Sequence, residues 1–356
     1  MKYSVVMGNP PYTLAARGDG TGSTSIYPEF FFVTNGVGIF SSVISPARWF
    51  NSPKGELRTA RKMIQEAGLT FLQLHFSGEQ VFPNAEVLGG LSWYLNRIGG
   101  SAETEFFRDG GWVKRAPQFD GEGMISLDEI SEIRTILSEH PEPPNAVQKW
   151  TAQWQFLKLS GRKDEMRSNE DFFQNSNSTR SKDTDVRIRM TDGSWRYFSE
   201  SIMDPESYVP EGKFALSFSI FWRNEAPTAN ARTLILFERE SAKASTPFFF
   251  DRLDQVGNFY KYSRTKFFGA LCRPRLSSFM ASPYTYKDIP MFSFTESDPI
   301  DWSLSIPEID NQLIAHFGLE DYREYILSAS KPYARAVGAR IPRQALRGER
   351  RYFWDK

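Results

Sequence analysis

Tyr3-Ser4-Val5-Val6-Met7-Gly8 runs directly into Asn9-Pro10-Pro11-Tyr12. The first six residues are rich in β-branched and apolar side chains and end on glycine, a pattern that predicts a short strand. The next four predict a stiff turn, because two successive prolines fix φ and donate no hydrogen bond. In that turn the Asn9 side-chain carbonyl and the Pro10 main-chain carbonyl can accept hydrogen bonds from one exocyclic amino group. Tyr12 can stack on the flat ring that carries the amine. A strand ending in this turn suits an amine-bearing ring; a Pro-Pro turn after an edge strand is the reading without chemistry.

The sequence downstream continues in strand and helix. Ile39-Phe40-Ser41-Ser42-Val43-Ile44-Ser45 reads as a buried strand that enters a Pro46-Ala47-Arg48-Trp49 turn. Leu57, Ala60, Arg61, Ile64 and Ala67 fall on related faces of a helix, and Gly68 stands where a glycine ends one. Leu69 to Phe76 is the next strand, Val81-Phe82-Pro83 a loop, and Val87 to Leu95 a last strand. The alternation describes half of a doubly wound α/β sheet.

Val6-Met7-Gly8-Asn9-Pro10-Pro11-Tyr12 resembles motif IV of the amino-group methyltransferases that use S-adenosylmethionine, in the form typical of DNA adenine-N6 enzymes. Enzymes that methylate a glutamine amide or an RNA amine share the tetrapeptide. Pro46-Ala47-Arg48-Trp49-Phe50, Val81-Phe82-Pro83 and Gly89-Gly90-Leu91-Ser92-Trp93-Tyr94-Leu95 are similar to the catalytic continuation of large restriction-modification methylases. Arg264 to Phe268, Asp288 to Phe294 and Ile309 to Leu319 resemble the end of their target-recognition region, whereas residues 113–260 are much less alike. The resemblance implies the C-terminal half of a Rossmann-like methyltransferase sheet over residues 1–112. It further implies a mixed α+β target-recognition domain over 113–290 and a helical basic tail over 291–356.

By the same resemblance Asn9, Pro10, Pro11 and Tyr12 are the catalytic residues, and S-adenosylmethionine is the methyl donor. The partner is double-stranded DNA, from which an adenine is flipped. Arg48, Arg61, Arg180, Lys182, Arg264 and Lys266 are the candidate DNA contacts. The family binds its cofactor with an acidic-x-Phe-x-Gly-x-Gly loop after an earlier strand, yet eight residues precede Asn9. Gly18-Asp19-Gly20-Thr21-Gly22 follows the catalytic turn and has no strand leading into it; Ala336-Val337-Gly338-Ala339-Arg340 lacks a second glycine. The cofactor-binding residues therefore stay unassigned, and a second subunit is expected to supply that half. A catalytically inactive methylase-like protein that binds DNA or a restriction complex is the first alternative. A methyltransferase of RNA or protein is the second.

The remaining chain narrows the classes. A length of 356 residues allows two domains, and 30 Phe supply both core and stacking material. With a formal net charge of zero, nucleic-acid contact must rely on local patches. The single cysteine, Cys272, excludes an intramolecular disulfide and a cysteine-rich zinc site and reads as a packed thiol. His75, His140 and His316 lack a second ligand at metal spacing. No apolar run approaches the roughly 20 residues that cross a membrane, so a cytoplasmic protein is expected.

Residues 104–116 hold a hairpin around Asp109-Gly110-Gly111, a helix is expected within Ser126 to Glu139, and Pro141 to Asn145 is a break. Lys158 to Arg196 is polar and reads as a loop facing DNA or solvent. Phe214 to Trp222 and Thr233 to Glu238 alternate like strands, and Pro247-Phe248-Phe249-Phe250 reads as core. Asp204 and Glu211-Gly212-Lys213 are in the wrong order for a nuclease centre. The tail from Lys331 to Arg351 is basic enough to follow a phosphate backbone or dock on a partner.

Overall fold

The computed structural model describes residues 3–14, 24–50, 55–75, 81–82, 91–100, 103–108, 111–115, 118–119, 125–126, 130–140, 185–189, 194–200, 207–219, 234–242, 245–272 and 283–328. It divides into one unit of residues 1–135 with 274–284 and another of 136–273 with 285–356.

The first unit starts with β1 (Tyr3–Gly8), the short pair β2 (Thr13–Leu14) and β3 (Thr24–Ser25), and helix α1 (Tyr27–Val37). β4 (Gly38–Pro46) follows, then α2 (Gly55–Glu66), β5 (Leu69–His75) and β6 (Leu91–Arg97). β7 (Thr104–Arg108) and β8 (Gly111–Arg115) form the expected hairpin, and β9 (Gln118–Phe119) pairs with β10 (Ile125–Ser126). Helix α3 (Ile130–Glu139) occupies the end of the segment expected to be helical, whose first residue instead belongs to β10.

Six strands make one mixed sheet in the order β1-β4-β6-β5-β7-β8. β1 and β4 are parallel, whereas β6 lies antiparallel between β4 and β5. The β1-to-β4 connection runs through α1, and the β4-to-β5 connection runs through α2. Tyr27 and Phe31 of α1, Leu57, Ala60 and Ile64 of α2, and Val43, Leu72 and Tyr94 of the sheet share one buried cluster. The architecture is therefore mixed α/β, with α1 and α2 packed into a common core. α1 escapes a reading by hydrophobic period, because Phe30, Phe31 and Phe32 are consecutive and only Phe31 is buried.

Gly68 ends α2 with φ +89°. A Cβ there would lie 2.9 Å from the Gly100 nitrogen and closer still to the Arg97 carbonyl oxygen, so the turn requires glycine. β6 is described from Leu91 to Arg97 within the strand expected over Val87 to Leu95; residues 83–90 lie outside the described residues.

The second unit contains β11 (Val186–Arg189), β12 (Trp195–Phe198), β13 (Phe214–Ser219), β14 (Leu234–Leu236), β15 (Glu240–Ala242) and β16 (Ser245–Phe250). They form two three-stranded sheets, β12-β11-β15 and β14-β13-β16. The first of these corrects the expectation of a loop through Arg196. Val186 and Ile188 alternate with arginines at a period of two and are fully buried, which makes a polar-looking segment a strand. Phe248 and Phe250 are core, as their composition implied.

Helices α4 (Leu253–Tyr262), α5 (Lys266–Cys272), α6 (Ile306–His316) and α7 (Arg323–Ser328) also belong to this unit. Phe259 packs on Phe248, Phe250, Phe268 and Phe294 at ring-centroid separations of 4.8 to 6.3 Å. Tyr262 adds contacts to Phe292 and Trp302 and donates its hydroxyl proton to the Pro290 carbonyl at 2.7 Å. The buried Asp310 carboxylate accepts hydrogen bonds from the backbone N–H groups of Lys266 and Phe267, which satisfies donors at the start of α5. Cys272 is buried there, and its surroundings push the thiol pKa upward, first through desolvation.

Candidate active site

β1 and β4 leave the sheet side by side. Gly8 pairs with Val43, so the Asn9-Pro10-Pro11-Tyr12 turn and the Ala47–Trp49 turn both emerge from the C-terminal ends of two parallel strands. That edge is where open α/β sheets bind ligands. The Asn9 side chain is exposed, Pro10 is half-buried and Pro11 exposed. The Tyr12 carbonyl accepts a hydrogen bond from Ile26 N–H at 3.1 Å, and Thr13 pairs with Ser25. The turn is thereby tied to the start of α1, where a proline favours helix initiation.

The Tyr12 ring is half-buried, and its hydroxyl is buried with no hydrogen-bond partner among the described residues. Desolvation raises its pKa, so the phenol stays neutral at physiological pH. A neutral, partly covered ring next to an exposed carboxamide is a combination that can stack a heterocycle and accept its amino hydrogens.

An aromatic group sits beneath the second turn. Trp49 meets Phe31, Phe50 and Tyr94 edge to face at 5.9 to 6.0 Å. Its indole N–H donates to Ser92 Oγ at 2.7 Å, and Ser92 also lies 3.1 Å from Ser45 Oγ. Tyr27 and Tyr94 have strongly raised pKa values, in both cases chiefly from burial; Arg48 partly counteracts it for Tyr27. These contacts fix the direction in which β4 leaves the sheet.

The basic residues separate into different environments. Arg48 is half-buried in the Ala47–Trp49 turn, and its Nε has no hydrogen-bond partner among the described residues. Arg61 is 1% exposed and donates through Nη1 to the Trp49 carbonyl at 2.8 Å. Arg264 is 6% exposed, with its guanidinium 4.8 Å from the Tyr260 ring centroid. Both guanidinium groups are thus buried, one against a backbone carbonyl and the other against a ring. Lys266 directs its ammonium to the Leu327 carbonyl. Arg180 and Lys182 lie outside the described residues, as do the 18–22 glycine loop, Asp204 and the tail beyond Ser328.

Sequence spacing also missed a histidine pair. His140 follows α3 and His316 ends α6, yet their ring centroids are 4.8 Å apart, with Phe317 against both. No local pattern connects residues so distant in sequence. Among the described residues, no group of three or more His, Cys, Asp or Glu side chains is arranged to hold a metal ion.

No protein-family model matches the chain. Over 101 residues it is 28% identical to an uncharacterized adenine-specific methylase of Mycoplasma pneumoniae, a match covering 27% of this chain and 24% of that protein. The sequence likeness is to a methylase. Among solved structures, the chain resembles the type IIL restriction-modification enzyme MmeI in complex with DNA, with 11% identity, TM-score 0.42, and coverage of 97% of this chain and 57% of that one. It also resembles the type IIG restriction endonuclease BpuSI, with 11% identity, TM-score 0.35, and coverage of 86% and 48% respectively. The chain spans about half the length of these structural relatives and about a quarter of the methylase.

Proposed function

We propose that the chain is the target-binding part of a site-specific DNA adenine-N6 methyltransferase. The carrying observation is the Asn9–Tyr12 turn at the C-terminal end of β1, beside the parallel β4 and its Ala47–Trp49 turn. Similarity to an adenine-specific methylase supports the same reading. The flipped adenine stacks on Tyr12, at a cost of a few kcal/mol for unstacking. Asn9 and the Pro10 carbonyl accept its amino hydrogens, while Pro11 stiffens the turn. Those acceptors hold the nitrogen lone pair toward the methyl donor and stabilise positive charge as it develops on nitrogen. No covalent enzyme intermediate is required.

S-adenosylmethionine supplies the methyl group; the residues of this chain that would bind it are unassigned. Residues 113–290 form the target-recognition region, and within residues 291–356 the basic charge is concentrated from Lys331 onward. Arg48 is the DNA contact best supported by its surroundings, since its guanidinium is only partly covered and lies in the turn beside the tetrapeptide. Double-stranded DNA is the partner and the cytoplasm the compartment. No described helix is long and apolar enough to cross a membrane.

The direct assay is transfer of labelled methyl from S-adenosylmethionine to duplex DNA by the natural assembly, followed by nucleoside analysis. N6-methyladenine is the expected product. Label in RNA or in a protein glutamine would move the reading to the other Asn-Pro-Pro-Tyr chemistries. DNA binding without any transfer would make the chain a binding module.

A further inference from the structure

Two buried polar atoms meet at the Ala47–Trp49 turn without a bond to satisfy them. Tyr27 is 1% exposed, and its hydroxyl has no hydrogen-bond partner among the described residues. Arg48 Nε is buried and without a partner in the same sense, and Arg48 forms no ion pair among the described residues. A buried polar group left unpaired is costly, so each one calls for a physical reason.

The packing brings them together. Tyr27 opens α1 and shares its buried cluster with Trp49. Phe31 links the two, meeting the Tyr27 ring at 5.5 Å and the Trp49 ring at 6.0 Å. The Arg48 charge and the Trp49 backbone N–H both favour the ionised form of Tyr27, so both face its oxygen. Tyr27 hydroxyl, Arg48 Nε–H and Trp49 N–H are all donors. A water among them would have to donate as well as accept, whereas an oxyanion only accepts and also matches the guanidinium charge.

We propose that Tyr27, Arg48 and the Trp49 backbone N–H bind one phosphate of the nucleotide whose base the Asn9–Tyr12 turn receives. The two turns leave neighbouring parallel strands about 4.8 Å apart, and a phosphate is joined to its base through a single sugar. One nucleotide therefore reaches both. The Tyr27 hydroxyl and Arg48 Nε are covered in this structure. The half-buried Arg48 side chain swings outward on its long stem to admit the phosphate, then donates to it through Nε. The identity of the anion rests on the methyltransferase reading; the three donors do not.

The test is a titration of the full chain in which arginine Nε–H resonances are followed by nuclear magnetic resonance. Deoxyadenosine 3′,5′-bisphosphate carries both phosphates that flank a nucleotide and is the probe; deoxyadenosine is the control. The bisphosphate should shift the Arg48 Nε–H resonance, and deoxyadenosine should not. Tyr27→Phe should raise the bisphosphate dissociation constant about tenfold, the loss of one charge-assisted hydrogen bond. The same variant should melt no lower than the wild type, because the free hydroxyl has no described partner to lose. Arg48→Lys keeps the charge, removes the Nε donor and should weaken binding too. An unmoved Arg48 resonance overturns the proposal, as does a Tyr27→Phe variant with wild-type affinity. A shift produced by methionine but not by the bisphosphate also overturns it, by giving the site to the carboxylate of the methyl donor. Asn9→Ala separates the two levels. If the bisphosphate and inorganic phosphate bind alike and neither responds to Asn9→Ala, the anion site stands and the adenine reading falls. If Asn9→Ala weakens deoxyadenosine binding while Arg48 never responds to phosphate, the adenine reading stands and the anion site falls.

Discussion

The aromatic core of the second unit and the outer strand of the first use similar residues to opposite ends. Phe259, Tyr262 and Phe294 have no exposed surface, and each is enclosed by other rings. Tyr3, Val5 and Met7 are at least half exposed. Burial explains why the first group contributes to stability, at roughly 25 cal/mol for each Å² of apolar surface removed from water. No such contribution comes from the second group in the isolated chain. The contrast shows that similar apolar residues are buried or exposed according to their place in the topology rather than their composition.

Phe259→Ala should have the largest stability effect, a loss of about 4 kcal/mol in the second unit, because it opens a cavity among four packed rings. Calorimetry resolving the two units should show the transition of the first unit unchanged. Equal loss in both would break the contrast between them. Gly68→Ala tests whether the first unit is also tightly specified where it is closed. A positive φ and the nearby Arg97 and Gly100 backbone give an expected loss of about 2 kcal/mol by urea denaturation. No loss would mean the turn after α2 readily adopts another conformation.

A smaller effect belongs to the surface start of α6. Glu308 accepts bonds from the Ser305 hydroxyl and backbone N–H, which lower its pKa below the ordinary 4.5. The folded state therefore binds its proton less tightly than the unfolded state. Its stabilising contribution is complete above pH 4.5 and is lost as pH falls through the lower folded value. Glu308→Gln should flatten the dependence of the urea midpoint on pH in that acidic window; an unchanged slope would reject this linkage. Tyr12→Phe should leave stability unchanged or raise it by up to about 1 kcal/mol, because the buried hydroxyl lacks a described partner. A clear loss in thermal unfolding would reveal a structural role for that hydroxyl.

The first unit was more legible in sequence than the second. β1 and β4 are rich in β-branched and apolar residues, α2 and β5 carry helical or two-residue periods, and Gly68 supplies a punctuation mark. The run of three phenylalanines conceals which face of α1 is buried. Local sequence also does not specify that β6 inserts antiparallel between β4 and β5. In the second unit, Val186 and Ile188 provide strand alternation, but the surrounding arginines and polar residues mask it. That β1 ends in a turn at Asn9 could be read directly, because a strand run followed by two prolines is a local pattern. The burial of Arg61 and Arg264 could not, since it depends on Trp49 and Tyr260 at other places in the fold.

The central claim is tested most directly by labelled-methyl transfer to duplex DNA with the natural assembly carrying Asn9→Ala. Asn9 is exposed, so the substitution should preserve the fold and assembly. The predicted result is a fall in methyl transfer of about 100-fold or more, because an acceptor for the reacting amine is removed. Full transfer at the wild-type rate would contradict the assignment of this turn as the amine-binding site.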